Sequence, residues 1–127
     1  STLEQMEDNL SYMKDFKPLS DKELEAVKKV TDIIHSANLI PCTACRYCVD
    51  GCPKHISIPD LFACMNTKQI YHDWNADYYY NVVHTANKGK ASDCIKCGKC
   101  EKACPQHLEI RKFLEDVAAE FEKKEDK

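Results

Sequence analysis

Eight of the nine cysteines fall into two runs of one design, CTACRYCVDGCP from Cys42 to Pro53 and CIKCGKCEKACP from Cys94 to Pro105. Each reads C-x2-C-x2-C-x3-C-P. The likeness continues past the cysteines: CPKHISIPDLF follows the first run and CPQHLEIRKFL the second, so the pattern Cys-Pro-x-His-apolar-x-Ile occurs twice. A duplicated loop leading each time into an apolar helix start predicts two loop-plus-helix units, a pseudo-twofold internal repeat.

The spacing limits what the thiols can hold. Three cysteines at x2 intervals can wrap one loop around three corners of a cubane cluster, but that backbone is then committed to one face and cannot reach the fourth corner. In runs of this kind the fourth cysteine ligates the other cluster. Two 4Fe-4S clusters are therefore expected: Cys42, Cys45, Cys48 and Cys104 for the first, Cys94, Cys97, Cys100 and Cys52 for the second. Pro53 and Pro105 fix φ and turn the chain away just past the fourth ligand. Ile40, Ile56 and Leu108 are placed to wall the clusters from water. Structural zinc is the alternative, since it also takes four thiolates. Its sites come as two separate C-x2-C knuckles, and a single tetrahedron leaves a third x2 cysteine without a role.

Composition excludes other classes. The chain has 127 residues, 43% apolar and 31% charged, with a formal charge of −3, which suits one small domain with a modest core. Lysines in KKEDK and DKELEAVKK alternate with acids, so no basic footprint for nucleic acid exists. Mean hydropathy is −0.55, and no apolar run approaches the ~20 residues of a membrane span. The acidic, amphipathic STLEQMEDNL is unlike a secretory leader. A cytoplasmic location is expected, where cysteines serve metals or redox chemistry more than disulfides.

Periodicity predicts a mainly α chain. Leu3, Met6, Leu10 and Met13 mark a helix over residues 3 to 14, ended at Lys17-Pro18. Ser20 with Glu23 forms a capping box, with Leu19 and Leu24 as a hydrophobic staple, for a helix running through Ile33 and Ile34 to about Asn38, with Pro41 beyond. Ile58, Leu61, Phe62 and Met65 make one helical face, with Pro59 in its first turn. Trp74, Tyr78 and Val82, with the row Tyr79, Val83 and Ala86, predict a further helix ending near Gly89. Ile110, Phe113, Leu114, Val117, Ala118 and Phe121 form a final amphipathic stripe. Cys64 reads as a small buried apolar side chain. His55 and His107 read as solvent-facing first-turn residues, although a hydrogen bond toward cluster sulfur would tie potential to pH. The aromatic set Trp74, Tyr78, Tyr79 and Tyr80 reads as packing.

The cysteine runs resemble those of dicluster ferredoxins, and the helical segment between them is similar to the α-helical ferredoxin type. STLEQMEDN and YMKDFKPLSDKELEAV resemble the end of an aldo/keto reductase barrel, and PCTACRYCVDGCPKHISIPDLF is similar to the tail of those aldo/keto reductases that carry an iron-sulfur domain. The resemblance implies residues 1–38 as the end of a barrel and 39–127 as a dicluster α-helical ferredoxin-like domain, its partners being the barrel and an external electron donor or acceptor. It also implies that Gln5 and Asn9 help hold the adenine end of NADP, and that the catalytic Asp, Tyr, Lys and His lie upstream, so that this chain alone reduces no carbonyl. Two functions are open: an electron-transfer module, or a structural or sensing metal domain. The formal charge, made more negative by thiolate-bound clusters, points to a donor with a basic patch and docking that weakens with salt.

Overall fold

The computed structural model describes residues 2–37 and 39–123. The chain forms two units, one ending at Ser36 and the other starting at Ala37. The first holds α1 (Leu3–Lys14) and α2 (Asp21–His35). Thr2 caps α1: its hydroxyl accepts from the Gln5 N–H at 3.2 Å while the Gln5 side chain accepts from the Thr2 N–H at 3.0 Å. At α2 the Glu23 carboxylate accepts from both the N–H and the hydroxyl of Ser20, at 2.8 and 2.7 Å. These contacts satisfy amide donors that helix starts leave open. Neither helix buries a residue. Leu3, Met6, Leu10, Met13, Val27 and Ile33 are exposed, as are Leu19 and Leu24 of the expected staple. The expected terminator Asn38 lies outside the described residues.

The second unit is built on α3 (Ile58–Tyr71) and α6 (Ile110–Phe121). Between them come α4 (Asn75–Tyr78), a π-helical turn (Tyr79–His84), a 3-10 turn (Ala91–Asp93) and α5 (Lys99–Ala103). Ile58, Leu61 and Phe62 of α3 meet Ile110, Leu114 and Val117 of α6 in one core, all at or below 1% exposure. Each such burial contributes about 2 kcal/mol. Phe113 packs edge-on against Phe62 at 5.8 Å. Lys68 joins three helices, pairing with Asp77 at 2.7 Å and Glu120 at 3.1 Å and standing 4.8 Å over the Phe121 ring. Among the described residues no strand forms; Ile56 and Gly89 make a single isolated bridge.

The expected helix through Trp74, Tyr78 and Val82 is corrected. Those residues are exposed, as are Tyr79 and Val83, and the buried ones are Ala76, Tyr80 and Thr85. The π-helical turn is the reason: its wider i→i+5 pattern breaks the 3.6-residue period and brings Tyr80 and Thr85 inward together. The Thr85 hydroxyl donates to the Tyr80 carbonyl at 2.8 Å.

Tyr80 stacks on Phe121 at 4.6 Å. Its hydroxyl donates to Glu122 at 2.5 Å and accepts from the Ala91 N–H at 3.0 Å. Glu122 also accepts from the Ser92 N–H and hydroxyl. The end of α6 is thus tied to the 3-10 turn that leads into the second cysteine run. Burial pushes the Glu122 carboxyl upward, but hydrogen bonds from Ser92 and Tyr80 outweigh it and hold the group below its ordinary value. A depressed carboxyl stabilises the fold above its unfolded pKa, and that contribution is lost as pH falls through the folded value. Tyr80→Phe is therefore expected to cost about 2 kcal/mol at neutral pH, and much less in a Glu122→Gln background, which lacks the charged acceptor. Anaerobic denaturation midpoints at neutral pH in the two backgrounds check this. A penalty of equal size in both would contradict it.

Candidate metal centre

In the first run, residues 41–46 are irregular and 47–51 form hydrogen-bonded turns, the Val49 N–H donating to the Arg46 carbonyl and the Cys52 N–H to that of Val49. Ala44 and Arg46 have φ of 54° and 67°; at the equivalent places of the second run Lys96 and Gly98 have 57° and 73°. Left-handed backbone at these two points curls each loop back on itself. For residues other than glycine it costs of order 1 kcal/mol or more, and it persists only where surrounding structure holds it. His55 and His107, at 53° and 51°, turn the chain after each fourth cysteine, the His55 N–H donating to the Cys52 carbonyl and the His107 N–H to that of Cys104. Both side chains are exposed, in turns that precede α3 and α6 instead of in their first turns.

The curled loops bring the thiols to two small cavities. Cys42, Cys45, Cys48 and Cys104 line the first, with Phe62, Leu108 and Ile110 among its walls. Cys52, Cys94, Cys97 and Cys100 line the second, with Ile56 and Leu114. Ile58, 1% exposed, lines both. The sequence marks it only as part of a helical face, and its place as the shared wall follows from α3 starting between the cavities. Of the expected walls, Ile56 and Leu108 are present. Ile40 is buried away from both, its N–H and carbonyl bonded to the Asn66 side chain at 2.9 Å.

All nine cysteines are free thiols. Burial pushes the Cys48 thiol up to about 11, with Cys42, Cys100 and Cys45 adding repulsion, and burial likewise raises Cys100. Cation binding must displace these protons, so loading is coupled to proton release. Among the described residues no three His, Cys, Asp or Glu converge as ligands of one ion would; each thiol set surrounds an apolar-walled space. Four thiols around such a space are a donor set that a thiolate-ligated iron-sulfur cluster fits. When bound, a cluster of that class supplies reversible one-electron chemistry. The protein's part is to hold the ligands, exclude water with Ile58, Phe62 and Leu114, and set the charge nearby.

That charge comes from pairs the sequence did not reveal. Arg46, on the first loop, pairs with Asp60 of α3 at 2.7 Å. Arg111 of α6 pairs with Glu101 of α5 at 2.8 Å through both its Nε and terminal nitrogen. The two loops are thereby each clamped to a helix. Cys64 lies outside both thiol sets, buried at 5% exposure, its thiol raised to about 11 by burial with Asp60 and Asp77 adding. Gln5 and Asn9 lie exposed on α1, the Gln5 amide engaged in the cap.

Residues 41–109 match the 4Fe-4S dicluster domain family, and the chain belongs to that family. A 22-residue segment is 68% identical to part of one subunit of the proton-translocating ferredoxin:NAD(+) oxidoreductase complex of Clostridium ljungdahlii, covering 17% of this chain and 5% of that protein. No solved structure matches. Among the described residues no helix is long and apolar enough to cross a membrane.

Gly89 sets the wall of the second cavity. A Cβ there would stand 2.3 Å from the Lys54 carbonyl oxygen and 2.9 Å from the Ile56 side chain, and both those residues line the cavity. Gly89→Ala must push the Lys54–Ile56 segment away, costing about 1–3 kcal/mol. Lower thermal stability and a lower retained iron content are expected. An unchanged melting temperature with full iron would contradict the close approach.

Proposed function

We propose that the chain is an electron-transfer module carrying two 4Fe-4S clusters, the first held by Cys42, Cys45, Cys48 and Cys104 and the second by Cys94, Cys97, Cys100 and Cys52. The observation that supports this most is the pair of thiol-lined, apolar-walled cavities that share Ile58 in their linings. One cluster would be enough to staple two loops together. Two that share a wall give a path along which single electrons can move. Burial of Cys48, Cys100 and Cys104 keeps water from much of each site, while the exposed Cys45 and Cys97 leave one edge of each open to a partner.

The module serves a larger oxidoreductase, for which an aldo/keto reductase barrel is our reading. Its support is the sequence resemblance of residues 1–38 together with the exposed apolar faces of α1 and α2, which a barrel would cover. Gln5 and Asn9 would meet NADP only with that barrel in place. The short identity with a protein of the ferredoxin:NAD(+) oxidoreductase complex supports the electron-transfer role and leaves the barrel open. A structural or sensing domain is the competing function.

Anaerobically prepared chain is expected to contain about eight irons with matching acid-labile sulfide, to show a visible absorption shoulder that bleaches with dithionite, and to give a reduced-state EPR signal. It should reduce no aldehyde with NADPH. Zinc without labile sulfide, or clusters that no low-potential donor reduces, would favour the structural function.

A further inference from the structure

The mouths of the two cavities differ in charge. Lys54 and Lys99 line the second together with Ile95, and all three are exposed, Ile95 at 57%. Among the described residues neither lysine has a carboxylate within ion-pair distance. Two acids of the second run and α6 are engaged elsewhere, Glu101 with Arg111 at 2.8 Å and Glu115 with Lys96 at 2.5 Å. The first mouth has uncharged Thr43 and Gln106, and its one cation, Arg46, is neutralised by Asp60. An unpaired basic rim at one mouth stands out in a chain whose formal charge is −3.

We propose that the second mouth, Ile95 framed by Lys54 and Lys99, is the docking face for an acidic one-electron carrier protein. The assignment rests on the dicluster reading above and adds which site meets the partner and what charge that partner bears. It reverses the expectation from net charge, because encounter is governed by the local field at the contact patch, and since a thiolate-bound cluster would bring the same charge to both mouths, the two lysines set the difference between them. An apolar centre with a polar rim is the usual anatomy of an interface, and one exposed isoleucine with two lysines suits a small, short-lived one. In the exchange one electron leaves the reduced carrier and is gained at the site of Cys52, Cys94, Cys97 and Cys100. The carrier is oxidised by one electron, no bond forms or breaks, and the electron is free to pass on beyond Ile58.

Stopped-flow reduction of the full holo chain tests this with two probes, flavodoxin hydroquinone, which is an acidic protein, and the methyl viologen radical, a small cation; binding of oxidised flavodoxin is titrated beside it, with weaker binding expected in Lys54→Glu/Lys99→Glu and unchanged binding overturning the docking face. Lys54→Glu/Lys99→Glu is expected to lower the flavodoxin rate constant about tenfold or more at low salt, to abolish its decline with rising salt, and to slow flavodoxin far more than the viologen radical. Tyr47→Glu, which places a negative charge near the first mouth, should change the flavodoxin rate little. An unaltered flavodoxin rate in the double variant overturns the docking face, as does slowing by Tyr47→Glu alone. Equal slowing with both probes overturns it too, showing that the lysines act on the cluster's potential. Wild-type chain that neither probe reduces overturns the dicluster reading itself, and the docking face with it.

Discussion

Neither thiol-lined cavity can close without both cysteine runs. Three thiols on each come from one loop and the fourth from the loop of the other, and the helices follow from that exchange. The segment leaving Cys104 carries Leu108 and Ile110 into the wall of the first cavity, and the segment leaving Cys52 carries Ile56 into the wall of the second. Helices α3 and α6 are thereby brought together by the ligand positions, and their apolar faces need only complete the contact. In so small a unit much of the interior is the site: Cys48, Cys100 and Cys104 belong to the same buried cluster as Leu61 and Val117. Under the proposed dicluster reading, loading the site and folding the unit are coupled, and ligand binding supplies energy that a core of this size lacks.

The same dependence explains where the backbone is unusual. Of six non-glycine residues in the left-handed region, five, Ala44, Arg46, His55, Lys96 and His107, curl a loop around its cavity or turn the chain after a fourth cysteine, and the sixth, His72, ends α3. Ion pairs from Arg46 to Asp60 and from Glu101 to Arg111 hold these loops to helices. Exposed pairs of this kind are worth little singly, so their main effect is on loop geometry and on the charge at each mouth.

Much of the second unit was legible in the sequence. The cysteine spacing within each run, the Ile58–Met65 face and the Ile110–Phe121 stripe are local patterns, and local patterns survive folding. The segment from Trp74 to Gly89 was not legible, because a π-helical turn alters the period on which the reading depends, and burial fell to Tyr80 instead of Trp74 and Val82. Ile58 as a shared wall, Gly89 as a close approach and Asp60 as the partner of Arg46 are facts of tertiary placement that no spacing rule encodes. In the first run residues 47–51 form turns, whereas the second run forms the short helix α5.

The crossing of ligands is the central claim, and iron counting on paired substitutions tests it most directly. Cys52→Ala/Cys97→Ala removes two ligands of one site under the crossed assignment, and Cys52→Ala/Cys45→Ala removes one from each. Crossing predicts that the first variant retains one intact cluster, about four irons per chain, while the second loses or degrades both. The reverse pattern, with an intact cluster surviving only in Cys52→Ala/Cys45→Ala, would show that each run ligates its own cluster and would contradict the crossing.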